Sequence, residues 1–360
     1  MSRFIIKRLS YGLLVLLGVI IINFFLFNIL PGDPARMMLG QRADITSVEA
    51  INKDLGRDKP LTVQFFNYLN DLSPVSIHND ADKSSYWYLD TLKYSSAYKL
   101  FHLSKDKILV LKKPYLRRSY QSKRNVSEIL YEGFINTFIL AVVAMFFAVI
   151  AGTFIGIICA VYQNQWIDRV ALVFSVLGMS LPSFFAAILN AWIFAFVLAG
   201  ITHLNMAGSL FSVDDFGRGE YLDLKNLILP ALTLGIRPLA IVVELTRNSL
   251  LEVLSQDYIR TARAKGLSRS RILLRHALKN SMNPIITAVS GWLASLLAGA
   301  VFVEYVFDWK GIGVVIVNAL EKYDFPVIMG AVLYVSVILV IINIFVDIIY
   351  GILDPRVRVQ

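Results

Sequence analysis

The chain has 360 residues, 56% of them hydrophobic, and a mean hydropathy of +0.62. This composition excludes an ordinary soluble globular domain and indicates a protein with several membrane spans. The formal net charge of +9 does not indicate nucleic-acid binding, because the basic residues flank apolar runs and recur in one loop. The single cysteine, Cys159, excludes a disulfide within the chain and a cysteine-based metal site.

The first apolar run covers residues 9–30 and follows Arg3, Lys7 and Arg8. It is long enough to cross a hydrocarbon core of roughly 30 Å. The apolar region of a signal peptide is about 7–15 residues long and ends in a small-residue cleavage site, which is not found after this run. We therefore expect an uncleaved first span with its N-terminus in the cytoplasm.

Apolar runs along the chain predict an all-α membrane protein with six transmembrane helices. They cover residues 9–30, 134–161, 170–200, 227–249, 284–306 and 327–350. The basic residues of the short connections all fall on one side, in the N-terminus, Gln163–Arg169, the loop 250–283 and the C-terminal Arg356 and Arg358. Short loops rich in Lys and Arg stay inside, so we expect a multi-pass protein with both termini in the cytoplasm.

A long region, residues 31–132, separates the first two predicted spans and lies outside the cell on this topology. Residues 45–55 and 61–72 show the pattern of two amphipathic helices. Residues 73–123 show no clean period, so that a small external subdomain and a partly ordered insertion both remain open. The predicted division is 1–30 for the N-terminus and first span, 31–132 for the external region, and 133–360 for a membrane domain of five spans.

No sequence motif indicates an enzyme. The chain has no Walker A pattern, GxGxxG loop, HExxH or GxSxG, and its four histidines are scattered. Serines occur within spans, as a membrane protease would require, but such serines are far more often packing residues. We expect no catalytic residue, no metal site and no cofactor on this chain.

The most informative stretch is the basic segment 257–284, between the fourth and fifth predicted spans. Its helical pattern breaks at Gly266, which predicts two short amphipathic helices joined at a glycine, the second ended by Asn283-Pro284. Anchoring on acidic lipid explains the charge. It does not explain the small residues around Ala262 and Ala264, where a partner surface can approach closely. The segment therefore predicts a docking element for a cytoplasmic partner.

Polar residues within the spans are the other candidates for function. Arg237 and Glu244 lie seven residues apart on roughly one face of the fourth span, and charges at membrane depth usually face a partner or a water-filled cavity. A translocation pathway, a structural pair and a contact with a second subunit all remain open. Asn190 is added to the candidate pathway, although an interhelical hydrogen bond would equally account for it. Pro182 and Pro230 interrupt helical hydrogen bonding and are expected to kink their spans, and Pro182 is a further candidate for the pathway.

The segment TARAKGLSRSRILLRHALKNSMNP, residues 261–284, resembles the cytoplasmic loop of ABC importer permeases in its peptide-transporter form. The broader family pattern begins Glu-Ala-Ala, followed by a glycine, at positions that here hold Arg260, Thr261, Ala262 and Gly266. Further similar segments are FNILPGDP (27–34), NVSEIL (125–130), GMSLPSF (178–184), LPALTLG (229–235), LTRNS (245–249), EYVFDWKGIG (304–313), YDFPV (323–327) and residues 347–358. Together they resemble the B-type permease of dipeptide, oligopeptide or nickel importers, with an unusually long segment at 73–123.

The resemblance implies the transmembrane domain of a type I ABC importer in the inner membrane. It implies a second permease in a heterodimer, two ATPase subunits carrying ATP and Mg, an external substrate-binding protein, and membrane lipid around the spans. The implied contacts to the ATPase are Tyr258, Thr261, Ala262, Arg263, Ala264, Lys265, Gly266, Leu267 and Arg269. A nickel or other small-solute importer, a peptide-sensing or export system, and a stand-alone secondary transporter or membrane enzyme are the alternatives.

Overall fold

The computed structural model describes residues 2–29, 59–82, 85–90, 93, 94, 97–214 and 219–353. The predicted helix at 45–55 and the C-terminal residues 354–360 lie outside these ranges. The chain forms two compact units, each assembled from separate parts of the sequence. The first comprises Met1–Gly12, Glu132–Val314 and Ile338–Gln360, and the second comprises Leu13–Tyr131 and Val315–Val337.

The described residues are mostly helical. In chain order the helices are α1 (Ser2–Ile29), α2 (Leu61–Leu72), α3 (Val126–Val161), α4 (Trp166–Ser180), α5 (Ser183–Asn190), α6 (Ala199–Thr202), α7 (Lys225–Leu254), α8 (Asp257–Ala264), α9 (Arg269–Arg271), α10 (Leu278–Gly299), α11 (Val301–Val306), α12 (Ile312–Glu321) and α13 (Phe325–Leu353). Two π-helical segments, Ala191–Val197 and Ile272–Ala277, follow α5 and α9. The strands are β1 (Val75–Asn79), β2 (Tyr98–His102), β3 (Lys107–Leu111), β4 (Phe211–Val213) and β5 (Glu220–Leu222).

Within the described ranges, four helices are long and apolar enough to cross a membrane: α1, α3, α7 and α13. They match the first, second, fourth and sixth predicted spans. A fifth candidate combines α4 with the helix continuing from Ser183 to Val197. The region predicted as the fifth span, 284–306, consists of α10 and α11 and is not among these candidates. The count of six spans stays a prediction.

The third predicted span, 170–200, is not one straight helix. Its two halves meet at an angle of 113°. The break lies at Pro182, which has extended dihedral angles and precedes the first residue of α5. Proline cannot donate a backbone hydrogen bond, and it pushes the residue before it out of the helical region. Pro182 therefore breaks this helix as expected.

Pro230 behaves differently. It lies inside α7 without ending the helix, as does Pro238. Because Pro230 is only the sixth residue of α7, its missing N–H removes a single bond, to the Asn226 carbonyl near the helix start. The expected kink at Pro230 is not accompanied by a break in the helix.

Glycines allow α3 and α7 to approach each other closely in the first unit. A methyl group placed on Gly152 would lie 2.9 Å from the Val242 side chain, and one on Gly156 would lie 2.6 Å from Thr246. On the other helix, Gly235 faces the Ala144 carbonyl in the same way, at 2.8 Å. Small residues permit such contacts between membrane helices, where lipid supplies no hydrophobic drive for association.

The second unit contains a small antiparallel sheet with the strand order β1-β3-β2. Val75 of β1 pairs with Leu111 of β3, and Asn79 pairs with Lys107 in the same two strands. Ile108 and Val110 of β3 are fully buried against Leu89 and Tyr94. The predicted all-α class describes the membrane helices, and this sheet and the β4–β5 hairpin of the first unit are small additions to it. The described residues within 73–123 thus include a three-stranded sheet with a small buried core.

The carboxylate of Asp324 fixes a turn in this second unit. Its two oxygens accept hydrogen bonds from the Ser119 hydroxyl at 2.5 Å, the Tyr120 N–H at 3.2 Å and the Gln121 N–H at 3.4 Å. Asp324 is 4% exposed. A buried carboxylate with three donors holds the segment 119–121 against the start of α13.

We expect Asp324→Ala to destabilise the second unit by about 2–3 kcal/mol, because two backbone N–H groups lose a charged acceptor. Thermal unfolding of the purified protein measures the loss, and hydrogen exchange at residues 119–121 should accelerate. Asp106→Ala is the matched control, since Asp106 is exposed in the same unit. Equal unfolding temperatures for the two variants would contradict this role for Asp324.

Candidate functional site

The predicted docking element begins with α8, whose inner face is buried in the first unit. Ile259 is 0% and Ala262 8% exposed, and both pack with Ala160 of α3 and Leu250 of α7. The same buried cluster contains Ile272 and Ala277 of the π-helical segment, so that α8 and this segment share one contact with the ends of two membrane-spanning helices. Ile259 was not among the predicted residues, although its spacing of three from Ala262 marks the same face.

Seven of the nine predicted contact residues are exposed: Tyr258, Thr261, Arg263, Ala264, Lys265, Gly266 and Arg269. Leu267 is half-buried. Ala262 is the exception, because its methyl group packs inside the chain. Within this chain Ala262 is a packing residue, and its contact with a partner stays a prediction.

Gly266 ends α8 with a turn that requires its unusual backbone. Its φ is +73°, its N–H donates to the Arg263 carbonyl at 3.0 Å, and the Leu267 N–H donates to the Ala262 carbonyl at 3.3 Å. These two bonds are the Schellman arrangement, in which a left-handed residue satisfies the last carbonyls of a helix. No atom lies within 4 Å of the position that a Cβ would occupy. The positive φ of this turn therefore favours glycine, and the space outside its Cα is open.

The second half of the docking element, after Gly266, does not end where the sequence predicted. Ile272 and Ala277 are buried and Arg271 and Arg275 are exposed, so this half is amphipathic as predicted. The predicted stop at Pro284 is wrong, because α10 runs through it to Gly299. Pro284 removes one backbone bond, a loss that membrane helices tolerate where neighbouring groups compensate. The basic segment is therefore continuous with α10.

A cavity of about 440 Å³ lies beneath the loop. Its walls are apolar and include Val161, Leu254 and Leu273, while Arg263 and Arg269 provide two charges. Pockets that combine apolar walls with a few fixed polar groups are typical binding sites. This one could accept an apolar side chain that is flanked by carboxylates.

A buried ion pair, which the sequence did not reveal, lies close to this element. Arg247 of α7 donates from Nε to Asp168 Oδ1 at 2.6 Å and from its terminal nitrogen to Oδ2 at 2.7 Å. The Asn164 N–H donates to the same carboxylate at 2.9 Å. The Asp168 side chain is 2% and that of Arg247 15% exposed. The pair joins the start of α4 to the end of α7, seven residues before α7 ends.

The polar residues predicted for a pathway separate into two kinds. Asn190 donates to the Thr233 hydroxyl at 2.9 Å, so its amide links two helices. Arg237 is exposed and donates to the Leu181 carbonyl at 3.1 Å, beside the break at Pro182. It also lines a cavity of about 60 Å³ between α4, α7 and α10. Glu244 is exposed, and within the described part of the chain no ion pair joins it to Arg237.

The segment Glu304–Gly313 forms a second buried polar centre. Glu304 is 0% exposed and accepts hydrogen bonds from the Thr137 hydroxyl and the Gly313 N–H, both at 2.6 Å. The Ile312 N–H donates to the Thr137 oxygen at 2.9 Å. Because this carboxylate is fully buried and has several donors, it organises the chain between α11 and α12.

Comparison with known proteins now gives the family. The family model described as "Binding-protein-dependent transport system inner membrane component" matches residues 152–359, and its N-terminal companion matches residues 1–86. The dipeptide transport system permease protein DppB of Alkalihalophilus pseudofirmus is 31% identical over 99% of this chain and 100% of that protein. The glutathione transport system permease protein GsiC of Pectobacterium atrosepticum is 35% identical over 99% of both chains. The MetNI methionine ABC transporter in an inward-facing conformation has a TM-score of 0.49 and 17% identity, covering 63% of this chain and 97% of that one.

The chain belongs to the family of inner membrane components of binding-protein-dependent transport systems. It is a multi-pass membrane protein and a transport permease, and the family predicted from its sequence is confirmed. The match to both family models over residues 1–86 and 152–359 leaves the segment 87–151 outside them. Most of residues 73–123 and part of α3 lie in that interval.

Proposed function

We propose that this chain is one of two permease subunits of an ATP-driven importer of dipeptides or oligopeptides. The alignment with DppB and GsiC over 99% of this chain supports a peptide substrate. A nickel or other small-solute importer is less favoured, because the relatives reported above are named for a dipeptide and a tripeptide. In this proposal the partners are a related permease, two ATPase subunits that bind ATP and Mg²⁺, and an external substrate-binding protein.

The observation that carries the proposal is the construction of α8. One face is packed on the ends of α3 and α7 through Ile259 and Ala262, and the other face is exposed and basic. A force applied to the exposed face is therefore transmitted to two membrane-spanning helices through packed side chains, which deform little. A subunit with no ATPase motif of its own requires such a mechanical connection.

The exposed residues have separate roles in this arrangement. Arg263, Lys265 and Arg269 pair with acidic groups of an ATPase subunit, while the backbone around Ala264 and Gly266 lies against its surface. The cavity beside Arg263 accepts an apolar side chain of the same partner. ATP-driven closure of the two ATPase subunits then moves α8 and switches the spans between outward and inward access. This assignment requires the basic loop and both termini to be cytoplasmic.

Arg237 and Glu244 are proposed to line the pathway at the interface with the second permease. Both are exposed on α7, and Arg237 adjoins a cavity at the helix break. A fixed guanidinium there would attract the carboxylate terminus of a peptide, and a carboxylate its ammonium terminus. Asn190 and Pro182 shape the same region by holding α5 against α7 and by bending the helix.

Gly266→Asp tests the coupling role. The variant should insert into the membrane normally, but substrate stimulation of ATP hydrolysis by the assembled importer should fall by about tenfold or more. A carboxylate at this exposed turn would repel the acidic groups that Arg263 and Lys265 meet, and like-charge contacts cost several kcal/mol at interfaces. Gly266→Asn is the matched control, because asparagine tolerates the same left-handed backbone without adding charge. Normal stimulation in the aspartate variant would sink the docking assignment.

Affinity purification of the tagged protein from native membranes tests the subunit composition. Recovery of a P-loop ATPase and a second permease is the expected result. Recovery of this chain alone after gentle solubilisation, with transport activity retained, would favour a self-sufficient transporter and reduce the basic loop to a lipid anchor.

A further inference from the structure

The second unit contains a cavity of about 520 Å³ that the proposed transport cycle does not use. Its volume falls within the range of about 300–1,000 Å³ typical of small-molecule sites. Tyrosine rings form much of the wall, and the charged lining consists of four cations and two carboxylates. The lining is thus aromatic with a net positive charge.

One of the four cations is already neutralised. Lys93 Nζ lies 4.9 Å from the ring centroid of Tyr86, 5.0 Å from that of Tyr94 and 5.1 Å from that of Tyr115. It also lies 3.4 Å from Oδ1 of Asp71, which is 2% exposed. Aromatic cages of this kind hold ammonium groups. Because Lys93 fills the cage and balances Asp71, a ligand's ammonium group has no place there.

The remaining cations are presented by a fixed turn. Arg117 and Lys123 have left-handed backbones, with φ of 67° and 60°, which non-glycine residues adopt only where the surroundings impose it. The Val126 N–H donates to the Arg117 carbonyl at 3.1 Å, and the Lys123 N–H to the Ser119 carbonyl at 3.0 Å. Asp324 holds the turn between them, as described above. The positions of these cations are therefore built into the fold.

Arg117 is the cation most suited to a ligand. Its side chain is half-buried and lines the cavity. The buried Asp71 attracts its guanidinium at longer range, but among the residues that the structure describes no side-chain hydrogen bond or ion pair holds it. A half-buried guanidinium without a geometric partner is prepared for a planar anion, which it can bind through two parallel hydrogen bonds. Arg118 and Lys123 are exposed at the same cavity and add positive charge at its edge.

We infer that this cavity binds the C-terminal carboxylate of a short peptide, with Arg117 as the main contact. The geometry of the turn and the charge of the lining define a carboxylate site. The identification of the ligand as a peptide rests on the proposed function. The tyrosine walls provide both apolar surface and hydroxyl groups, as a peptide chain of two to four residues requires. The external segment thereby carries a substrate site of its own, separate from the spans.

Titration of the purified full-length chain in lipid nanodiscs tests the inference, with tyrosine fluorescence as the readout. The probes are trialanine, trialanine with an amidated C-terminus, and inorganic phosphate. Trialanine should bind about tenfold more tightly than its amide, because a charge-assisted bidentate contact is lost with the carboxylate. Phosphate should compete only weakly with trialanine.

Variants of the cavity sharpen this test. Arg117→Gln should weaken trialanine binding by about tenfold, and the exposed Lys123→Gln by about threefold, which approximates the contribution of a partly screened charge. Lys105→Gln is the control, because Lys105 is exposed in the β2–β3 turn and does not line the cavity. Should Arg117→Gln fail to fold, Lys123→Gln alone still distinguishes the outcomes.

Equal affinity for trialanine and its amide, or no binding of either, would overturn the inference. Phosphate binding as tight as trialanine would overturn the assignment to a carboxylate. The proposed function fails separately, and would do so if the complete wild-type importer did not take up peptides. Peptide uptake by the importer together with equal affinity for the acid and the amide would refute this site alone.

Discussion

Arg247→Ala is expected to destabilise the first unit by about 3–5 kcal/mol, because it leaves the carboxylate of Asp168 buried without its charged partner. A loss of this size corresponds to a fall of roughly 10 °C in the unfolding temperature of a unit of this length. Thermal unfolding of the purified protein in detergent measures it directly. Exposed surface residues seldom change stability by more than about 0.5 kcal/mol, so Arg271→Ala is the matched control.

The combination of Arg247→Met with Asp168→Asn separates the charge from the packing. Removing both charges of a buried pair is often far less harmful than removing one. We therefore expect the double variant to be more stable than Arg247→Ala, although the Asn164 N–H retains only a neutral acceptor. If Arg247→Ala were as stable as Arg271→Ala, the ion pair between Arg247 and Asp168 would contribute little to stability.

The pair also bears on coupling, because Asp168 and Arg247 lie beside the cluster on which α8 is packed. Leu250, one turn beyond Arg247, is fully buried against Ile259. An unpaired Asp168 would draw water towards this contact. A reduced response of the ATPase to substrate is therefore expected in Arg247→Ala even at temperatures where the protein remains folded.

Sequence patterns predicted those parts of the candidate site that are determined by residues close together in the chain. A helix ended by a left-handed glycine is specified within a few residues, so the turn at Gly266 followed from the sequence. The helical period also predicted an amphipathic second half, in which Ile272 and Ala277 are buried while arginines are exposed. The burial of Ala262 was not predicted, because an alanine fits equally well in a core and in an interface.

Contacts between distant residues could not be predicted. Asp168 and Arg247 are 79 residues apart, and no spacing rule connects them. Pro284 was taken as a helix stop, but whether a proline ends a helix depends on neighbours that compensate for the lost bond. The strands at 75–111 escaped notice because each has five residues and β2 is exposed throughout, so that it shows no alternation.

The spacing Glu-x6-Gly-x-Gly in the segment 304–313 acquires a physical meaning from the structure. A Cβ on Gly311 would collide with the carboxylate of Glu304, and one on Gly313 would lie 2.6 Å from Glu304 Oε2 and would also collide with the backbone of Val301. Both glycines are therefore required by close approach, the first by the glutamate and the second by the glutamate and α11 together.

Glu304→Ala is expected to destabilise the first unit by about 3–5 kcal/mol. The Gly313 N–H would lose its acceptor in a site without exposure to solvent, and a buried group left unsatisfied costs about 1–3 kcal/mol. The Thr137 hydroxyl would keep only its longer bond to the Gly133 carbonyl, at 3.2 Å. The cavity left by the carboxylate adds to this loss. Thermal unfolding of the purified protein is the measurement, and Glu252→Ala at an exposed position of α7 in the same unit should change it little.

Combining Glu304→Ala with each glycine substitution distinguishes this account from general disruption of the loop. Gly311→Ala alone should be strongly destabilising, yet it should add little to Glu304→Ala, because the carboxylate it would strike is gone. Gly313→Ala should remain destabilising in the same background, since the Val301 backbone is still in place. Residues that share one contact show such non-additivity, with interaction energies of about 0.5–3 kcal/mol. Additive losses for Glu304 and Gly311 would mean that the two act independently, and the reading of this segment as a glutamate enclosed by glycines would be wrong.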